Sequence, residues 1–267
     1  MSSVFNILKQ QILHFPLITR LAFYETKSKY QMHYLGILWQ FLNPLLQVSV
    51  YWFVFGVGIR NGDPVDGTPF FIWLLTGLVP WFFISPTIVQ GSNSIYSKIN
   101  LVSKMKFPVS VLPSITIASN IFGFLITIVI LSVVMVIYDI KVSIYALQLP
   151  YYLLCLFFLL YSITIFTSTI SALIRDFQLL IQTSMRMLFF MTPILWSVNE
   201  FPERYQALIQ LNPFAYIVNG FRESLLSETW FFEDWRYAFY FWSFLILILF
   251  VGTLLHENYK NKFVDYL

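Results

Sequence analysis

The chain has 267 residues, of which 58% are hydrophobic and only 11% are charged, and its formal net charge is +3. Because an ordinary soluble domain has about 25% charged residues, this composition excludes a soluble globular protein. It indicates an integral membrane protein that crosses the bilayer several times and has no independent soluble domain.

Residues 1–34 are predicted to form a cytosolic and interfacial N-terminal segment. Val4 to Leu21 alternates hydrophobic and polar side chains, and Pro16 divides it into two short pieces, each with a hydrophobic face. Amphipathic helices of this kind lie in the headgroup layer of a membrane. The alternative is a leader that is merely solvated. Charges and Pro16 interrupt the segment, so it is not typical of a cleavable signal peptide.

Six hydrophobic stretches are each long enough for a membrane-spanning helix, which needs about 20 residues. Lipid offers no partners to backbone N–H and C=O groups, so helices rather than barrel strands are predicted. Only the fifth stretch contains a charged residue, Arg186. The stretches are Leu35–Ile59, Gly67–Ser97, Phe107–Tyr138, Val142–Ile174, Phe177–Asn199 and Tyr237–Leu255. The predicted fold is a single all-α membrane domain, with six transmembrane helices in residues 35–256 and a cytosolic tail in residues 257–267.

The distribution of basic residues predicts the orientation. If the N-terminus is cytosolic, the cytosolic segments contain ten Lys and Arg residues and the opposite segments contain five. The positive-inside rule therefore places both termini in the cytoplasm.

A polar stripe runs along the first span. Gln40, Asn43 and Gln47 recur at intervals of three and four residues and share one helix face, with Trp39 beside them. Polar side chains within hydrocarbon face other helices or a wet cavity. The stripe is predicted to make interhelical hydrogen bonds, or to line a substrate path or a dimer surface.

A short basic turn, Ser97 to Pro113, separates the second and third spans. Its sequence, SKINLVSKMKFPVSVLP, contains three lysines and no acidic residue. Its two prolines tend to break helices, which suits a small docking helix for a cytosolic partner. The alternative is that the lysines only fix the topology. The predicted contact residues are Ser97, Lys98, Asn100, Leu101, Lys104, Met105, Lys106, Phe107 and Pro108.

The fifth span carries a second polar stripe. An Arg at mid-membrane costs about 2.5–3.5 kcal/mol on insertion scales, so its guanidinium is expected to reach water, a phosphate or an acid. The hypothesis is that Arg186 attracts an anionic substrate into a path between two protomers. The alternative is that its side chain snorkels to the inner headgroups. The residues on this face are Gln178, Gln182, Arg186, Phe189 and Pro193.

The segment Glu200 to Arg236 is too charged to cross the membrane and too hydrophobic to be fully solvated. Asn212-Pro213 interrupts it. We expect two short amphipathic helices that re-enter the outer leaflet, because irregular backbone at that depth must be buried in protein or face a wet cavity. The hydrophobic face of the second helix is formed by Phe214, Ile217, Val218, Phe221 and Leu225.

Residues for most kinds of catalysis are missing. Cys155 is the single cysteine, which excludes an intrachain disulfide, and the three histidines lack the spacing of metal ligands. The chain has no G-x-x-x-x-G-K-[ST] loop, G-x-S-x-G or H-E-x-x-H motif. The chain is therefore predicted to be neither a hydrolase nor a transferase, to bind no metal or cofactor, and to depend on another protein for energy.

Several sequence blocks resemble the membrane subunits of type-2 ABC exporters of cell-surface polysaccharides. These blocks are LGILWQFLNPLLQ at 35–47, SKMKFP followed by VLP at 103–113, and LIRDFQLL at 173–180. A further set is similar to teichoic acid translocation permeases of Gram-positive bacteria: YWFVFGVGIR at 51–60, PFFIWLLTG at 69–77 and RDFQLLIQTSMRMLFFMTPILW at 175–196. The resemblance runs from the first span to the C-terminus.

The resemblance implies a homodimer joined to two copies of a separate ABC ATPase, which would bind ATP and Mg²⁺. The basic turn corresponds to the family's coupling helix, whose movement would gate a path between the permeases. In the family, the N-terminal interfacial helix and the loop between spans four and five also lie near the ATPase. They correspond here to Val4–Leu21 and to Arg175 with Asp176.

The resemblance also implies a substrate, an undecaprenyl-diphosphate-linked polymer exported across the cytoplasmic (inner) membrane of a bacterium. Wall teichoic acid is the predicted polymer, with O-antigen or capsular polysaccharide as the alternative. Membrane lipid is an expected partner and nucleic acid is not.

A stand-alone channel or an ion-driven carrier is the competing class of protein. Such carriers usually bury acidic residues or interrupt helices near the midplane. No Asp or Glu lies within the six predicted spans, which disfavours proton coupling. A structural scaffold, the third possibility, does not account for two polar stripes. Loss of function without ATP would distinguish an exporter from a carrier.

Overall fold

A computed structural model describes most of the chain, and its regular structure there is helical apart from one antiparallel bridge between Val65 and Thr68. This confirms the all-α prediction. The described residues are 2–31, 34–65, 67–99, 107–226, 229–260 and 263.

Two helices precede the first span, α1 (Ser2–Leu13) and α2 (Phe15–Gln31). Pro16 lies in the first turn of α2, where its missing N–H group costs no intrahelical hydrogen bond. The predicted division of this segment is therefore present, but α2 continues well beyond the predicted end at Leu21.

The first span begins with the 3₁₀ turn Gly36–Leu38 and continues as α3 (Trp39–Tyr51) and the π-helical stretch Trp52–Ile59. The later helices are α4 (Phe70–Ser92), α5 (Leu112–Ile137), α6 (Leu149–Leu173), α7 (Phe177–Met191), α8 (Glu203–Gln210), α9 (Pro213–Leu226) and α10 (Trp235–Tyr259). Short 3₁₀ turns, Val109–Val111 and Ile144–Gln148, lead directly into α5 and α6.

Among the described residues, five helical stretches are long and apolar enough to cross a membrane. They correspond to five of the six predicted spans: Gly36–Ile59, Phe70–Ser92, Val109–Ile137, Ile144–Leu173 and Trp235–Tyr259.

The remaining predicted span, the fifth along the chain, contains α7, which has 15 residues. At 1.5 Å per residue α7 is about 22 Å long, less than the roughly 30 Å of a bilayer core. The chain leaves the helix at Thr192, and most of the non-helical residues 192–197 are buried. A crossing at this position therefore needs more than α7 alone.

The segment between α7 and α10 contains two short helices, α8 and α9, where the sequence predicts them. The Oδ1 atom of Asn212 accepts a hydrogen bond from the backbone N–H of Phe214 at 3.0 Å and so caps α9. Phe214, Ile217, Val218 and Phe221 are buried, which matches the predicted hydrophobic face. Re-entry of these helices into the membrane stays a prediction.

The main core surrounds α4, which packs against α5, α6, α7 and α9. Phe83 of α4 stacks on Phe124 of α5 with 4.6 Å between ring centroids and meets Phe157 of α6 edge-on at 5.7 Å. Close aromatic packing of this kind stabilises contacts between apolar helices, where burial from water contributes little.

A second, smaller core lies at the end of the bundle that is predicted to be cytosolic. Ile18 and Ala22 of α2 pack there with Ile95, Ala172 and Phe263. This cluster joins α2 and Phe263 of the tail to Ile95, which lies just before the basic turn, and to Val111 within it.

Candidate functional site

A cavity of about 790 Å³ lies between the first span, α4, α5 and α7, and α2 reaches its edge. Its lining consists of aromatic rings, side-chain amides and two cationic groups, and none of its described lining residues is acidic. The lining residues are Lys29, Trp39, Gln40, Asn43, Pro44, Gln47, Tyr51, Trp81, Phe82, Ser85, Pro86, Val89, Gln90, Asn120, Gly123, Phe124, Thr127, Met185, Arg186, Phe189 and Phe190.

 The polar stripe of the first span lines this cavity. Trp39, Gln40, Asn43 and Gln47 all face it. Gln40 is only 6% exposed, and its Oε1 atom has no hydrogen-bond partner among the described residues. Pro44 has no N–H group to donate to the carbonyl of Gln40, which lies one turn earlier. The first span therefore presents unused hydrogen-bond acceptors at the cavity.

Of the predicted stripe on α7, the structure brings Arg186 and Phe189 to the cavity. Phe189 is buried against Tyr51 of the first span and Trp81 of α4, with ring centroids 5.1 and 5.8 Å apart. These three rings form an aromatic wall. Arg186 is exposed in the single chain, so its side chain is open to a ligand in the cavity.

Gln178 and Gln182 are not among the residues that line the cavity. The Nε2 atom of Gln178 donates to the carbonyl of Val89 at 3.0 Å, and its Oε1 accepts from the hydroxyl of Ser92 at 2.5 Å. The side-chain amide of Gln178 therefore connects the start of α7 to the end of α4 by two hydrogen bonds. The assignment of Gln178 and Gln182 to a substrate path stays a prediction without support from this cavity.

Lys29 is a lining residue that the sequence did not single out. Its Nζ atom donates to Gln90 Oε1 at 2.9 Å and to Asn120 Oδ1 at 3.0 Å. Desolvation is the largest cause that lowers the pKa of Lys29, with Lys98 acting in the same direction and Glu25 in the opposite one. No spacing signal could have found this group, because its two acceptors lie 61 and 91 residues away along the chain.

Three members of the predicted ATPase-contact set lie close together near the end of α4: Ser97, Lys98 and Arg175. Ser97 and Lys98 lie in the 3₁₀ turn Tyr96–Lys98, and Lys98 forms an ion pair with Glu25 of α2. The guanidinium of Arg175 lies 5.3 Å from the ring centroid of Tyr96. The basic turn and the loop before α7 are therefore neighbours.

The other members of that set differ in position. Phe107 and Pro108 directly precede the turn Val109–Val111, and Asp176 is exposed at the start of α7. The remaining predicted contacts lie outside the described residues: Asn100, Leu101, Lys104, Met105 and Lys106.

At the opposite end of the bundle, tyrosines connect α9 to its neighbours. The hydroxyl of Tyr151 on α6 is 2.9 Å from that of Tyr216 on α9 and accepts from Trp242 Nε1 of α10 at 3.0 Å. Arg60 at the end of the first span pairs with Glu200 beyond α7. These contacts hold the segment after α7 against the spans.

Residues 16–226 match the family model described as ABC-2 type transporter. Two proteins from Klebsiella pneumoniae, each named O-antigen export system permease protein RfbA, are 25% and 26% identical to the chain over 254 residues, which is 95% of this chain and 95% of each relative. A protein of the same name from Myxococcus xanthus is 27% identical over 201 residues, which is 74% of this chain and 75% of that relative.

Proposed function

Because this chain belongs to the ABC-2 type transporter family, we propose that it is the permease subunit of an ATP-driven exporter of a lipid-linked cell-surface polysaccharide. Membership in the family makes it a multi-pass protein of a bacterial membrane and a transporter component rather than an enzyme. ATP and Mg²⁺ would be bound by a separate ABC ATPase.

The observation that carries this proposal is the composition of the cavity. Side-chain amides offer both donors and acceptors to sugar hydroxyls, and aromatic rings offer flat apolar surfaces to sugar rings. Two cationic side chains, Lys29 and Arg186, suit the phosphate groups that join such a polymer to its lipid. A cavity lined in this way fits a phosphorylated saccharide better than a small inorganic ion.

Wall teichoic acid is the proposed polymer, because the blocks at 51–60, 69–77 and 175–196 are similar to teichoic acid permeases. An O-antigen-like polysaccharide is the second candidate, which the names of the Klebsiella and Myxococcus relatives favour. The two polymers differ in charge, since teichoic acid carries phosphate along its length.

A sixth crossing is part of the proposal. Five crossings would place the termini on opposite sides, whereas the distribution of Lys and Arg predicts the same side. We assign the sixth crossing to α7 together with residues 192–197. Non-helical backbone is tolerated in a membrane where protein buries it, and Arg222 Nη1 donates to the carbonyl of Pro193 at 3.0 Å.

The proposed assembly is a homodimer with two ATPase subunits. Only 11% of the hydrophobic window of the first span is buried within one chain, and large apolar side chains of α7 such as Leu179 and Met187 are exposed. Pairing two chains along these helices would bring two cavities together into one path. The turn at Lys98 would then receive the ATPase on the cytosolic side.

The first test is to purify the full-length chain from its native membrane in mild detergent and identify the associated proteins and lipids by mass spectrometry. An equimolar ABC ATPase is the expected result. A phosphate-rich glycolipid would favour teichoic acid, and a lipid-linked neutral polysaccharide would favour the second candidate. If the chain purified alone from several detergents and its transport depended on an ion gradient, the carrier alternative would replace the proposal.

A further inference from the structure

Among the residues that the structure describes, no carboxylate is a hydrogen-bond partner of Lys29 at the cavity. Its ammonium group donates to two neutral amide oxygens, those of Gln90 and Asn120. The nearest acidic residue on the same helix, Glu25, forms its ion pair with Lys98 instead. An ammonium group binds an anionic oxygen more strongly than a neutral amide oxygen.

The position of this group is fixed by the packing of α2. The hydroxyl of Thr26 donates to the carbonyl of Ser119 on α5 at 2.9 Å, and Ile18 and Ala22 are buried in the second core. Lys29 therefore projects from an anchored helix. It also lies one helical turn after Glu25, which places it on the side of the bundle that carries the basic turn.

We propose that Lys29, flanked by Gln90 and Asn120, binds a phosphate group of the lipid-linked substrate at the cytosolic edge of the cavity. This inference rests on the proposed function. The phosphate replaces the two amide oxygens as acceptor for Lys29. The amide groups of Gln90 and Asn120 then present their NH₂ donors to the same phosphate, because each carries donors as well as an acceptor.

The test measures lipid binding by the purified full-length chain in phosphatidylcholine nanodiscs. The probes are undecaprenyl diphosphate and undecaprenol, which differ only in the phosphate groups. We expect the wild-type chain to bind the diphosphate about tenfold more tightly than the alcohol, as one or two charge-assisted hydrogen bonds would give. Lys29→Gln should lose this preference, and Lys29→Arg should keep it.

Lys27→Gln is the matched control, since Lys27 lies on the same helix and is not among the cavity-lining residues. It should bind both probes as the wild type does. Competition identifies the source of the phosphate: displacement by inorganic diphosphate indicates that the phosphates suffice, and displacement by phosphatidylglycerol indicates a general lipid-phosphate site. Displacement by neither indicates a site specific for the carrier lipid, and each of these results supports a phosphate position at Lys29.

Equal binding of the two probes by the wild-type chain would overturn the inference, as would an unchanged preference in Lys29→Gln. In either case the proposed function would stand if an ABC ATPase still purified with the chain. If polymer export did not require the wild-type chain at all, the proposed function itself would fail.

Discussion

α4 and the first span have nearly the same length, 23 and 24 residues, yet they occupy opposite environments. The structure buries 78% of the hydrophobic window of α4 and 11% of that of the first span. Hydropathy alone thus identifies a helix that can cross a membrane but does not say whether it faces protein or lipid. α4 organises the scaffold, whereas the first span presents its polar stripe to the cavity.

This contrast extends to the residues around each helix. Most of α4 is buried against neighbouring helices, and the side chains on the cavity wall have open space before them. Substitutions in the scaffold should therefore change stability, and substitutions on the cavity wall should change export.

The largest effect is expected at Gly220 of α9, in the scaffold. A Cβ atom there would lie 1.9 Å from Cε1 of Tyr152, a contact that forces the buried ring or the helix to move. Gly220→Ala should cost about 3 kcal/mol of stability, at the upper end of overpacking effects. Thermal unfolding in detergent, followed by size-exclusion chromatography, measures it.

Gly123→Ala is the matched control on the cavity wall. Apart from the backbone of its own helix and its chain neighbours, no heavy atom of the described residues lies within 4 Å of the Cβ position at Gly123, so the added methyl group meets open space. Its melting temperature should stay near that of the wild type. Equal losses in the two variants would show that the contrast between scaffold and cavity does not hold.

The second prediction compares two arginines. Arg222 is 8% exposed, lies 3.6 Å from the ring centroid of Trp73 and donates to the carbonyl of Pro193. Arg222→Met should lower stability by about 2 kcal/mol, because it removes the cation–π contact and that hydrogen bond. Unfolding of the purified protein measures the loss.

Arg186→Gln is expected to behave in the opposite way. Arg186 is exposed at the cavity, so its loss should leave the melting temperature nearly unchanged. If Arg186 attracts an anionic substrate, polymer export by cells should fall about tenfold, the loss of a single charge-assisted contact. Normal export would refute a substrate role for Arg186 and leave the snorkelling interpretation.

The third prediction concerns pH and the scaffold residue Glu223 of α9. Burial raises the pKa of Glu223 from 4.5 to about 7, with Asp234 and Glu233 acting in the same direction and Arg222 in the opposite one. Folding therefore favours the protonated carboxyl. The stabilisation that comes from protonated Glu223 is fully present below pH 4.5 and is lost as the pH rises through about 7.

The melting temperature should accordingly fall by a few °C, on the order of 1 kcal/mol, between pH 5.5 and pH 8. Glu223→Gln, which stays neutral, should flatten this dependence. A profile that is the same in the wild type and the variant would assign the pH dependence to other groups.

Much of the fold could be predicted because it follows from local sequence. Five spans lie within a few residues of the predicted windows, and Pro16 and Asn212 mark helix boundaries as expected. The exception is α7, whose hydrophobic window extends to Asn199 while the helix ends at Met191. Pro193 interrupts the helix there, and a hydropathy window does not register that interruption.

The site could be predicted only in part. Periodicity correctly places Gln40, Asn43 and Gln47 on one face, and the cavity lies at that face. Periodicity does not show which neighbouring helix a face meets. Gln178 shares a predicted stripe with Arg186, yet its side chain donates to the carbonyl of Val89 on α4. The position of Lys29 at the cavity could not be predicted for the same reason, because its hydrogen-bond partners lie on α4 and α5.

The smallest effect is expected at the ion pair between Glu25 of α2 and Lys98, at the boundary between the two regions. The side chains are 29% and 25% exposed, and pairs of this kind contribute about 0.5 kcal/mol and weaken with salt. A double-mutant cycle of Glu25→Gln and Lys98→Gln should give a coupling energy below about 1 kcal/mol. The buried side chains Ile18 and Ala22 would then account for most of the attachment of α2. If either variant lost export, the cause would be a change at the basic turn and not the unfolding of α2. A coupling of several kcal/mol would instead place the pair within the scaffold.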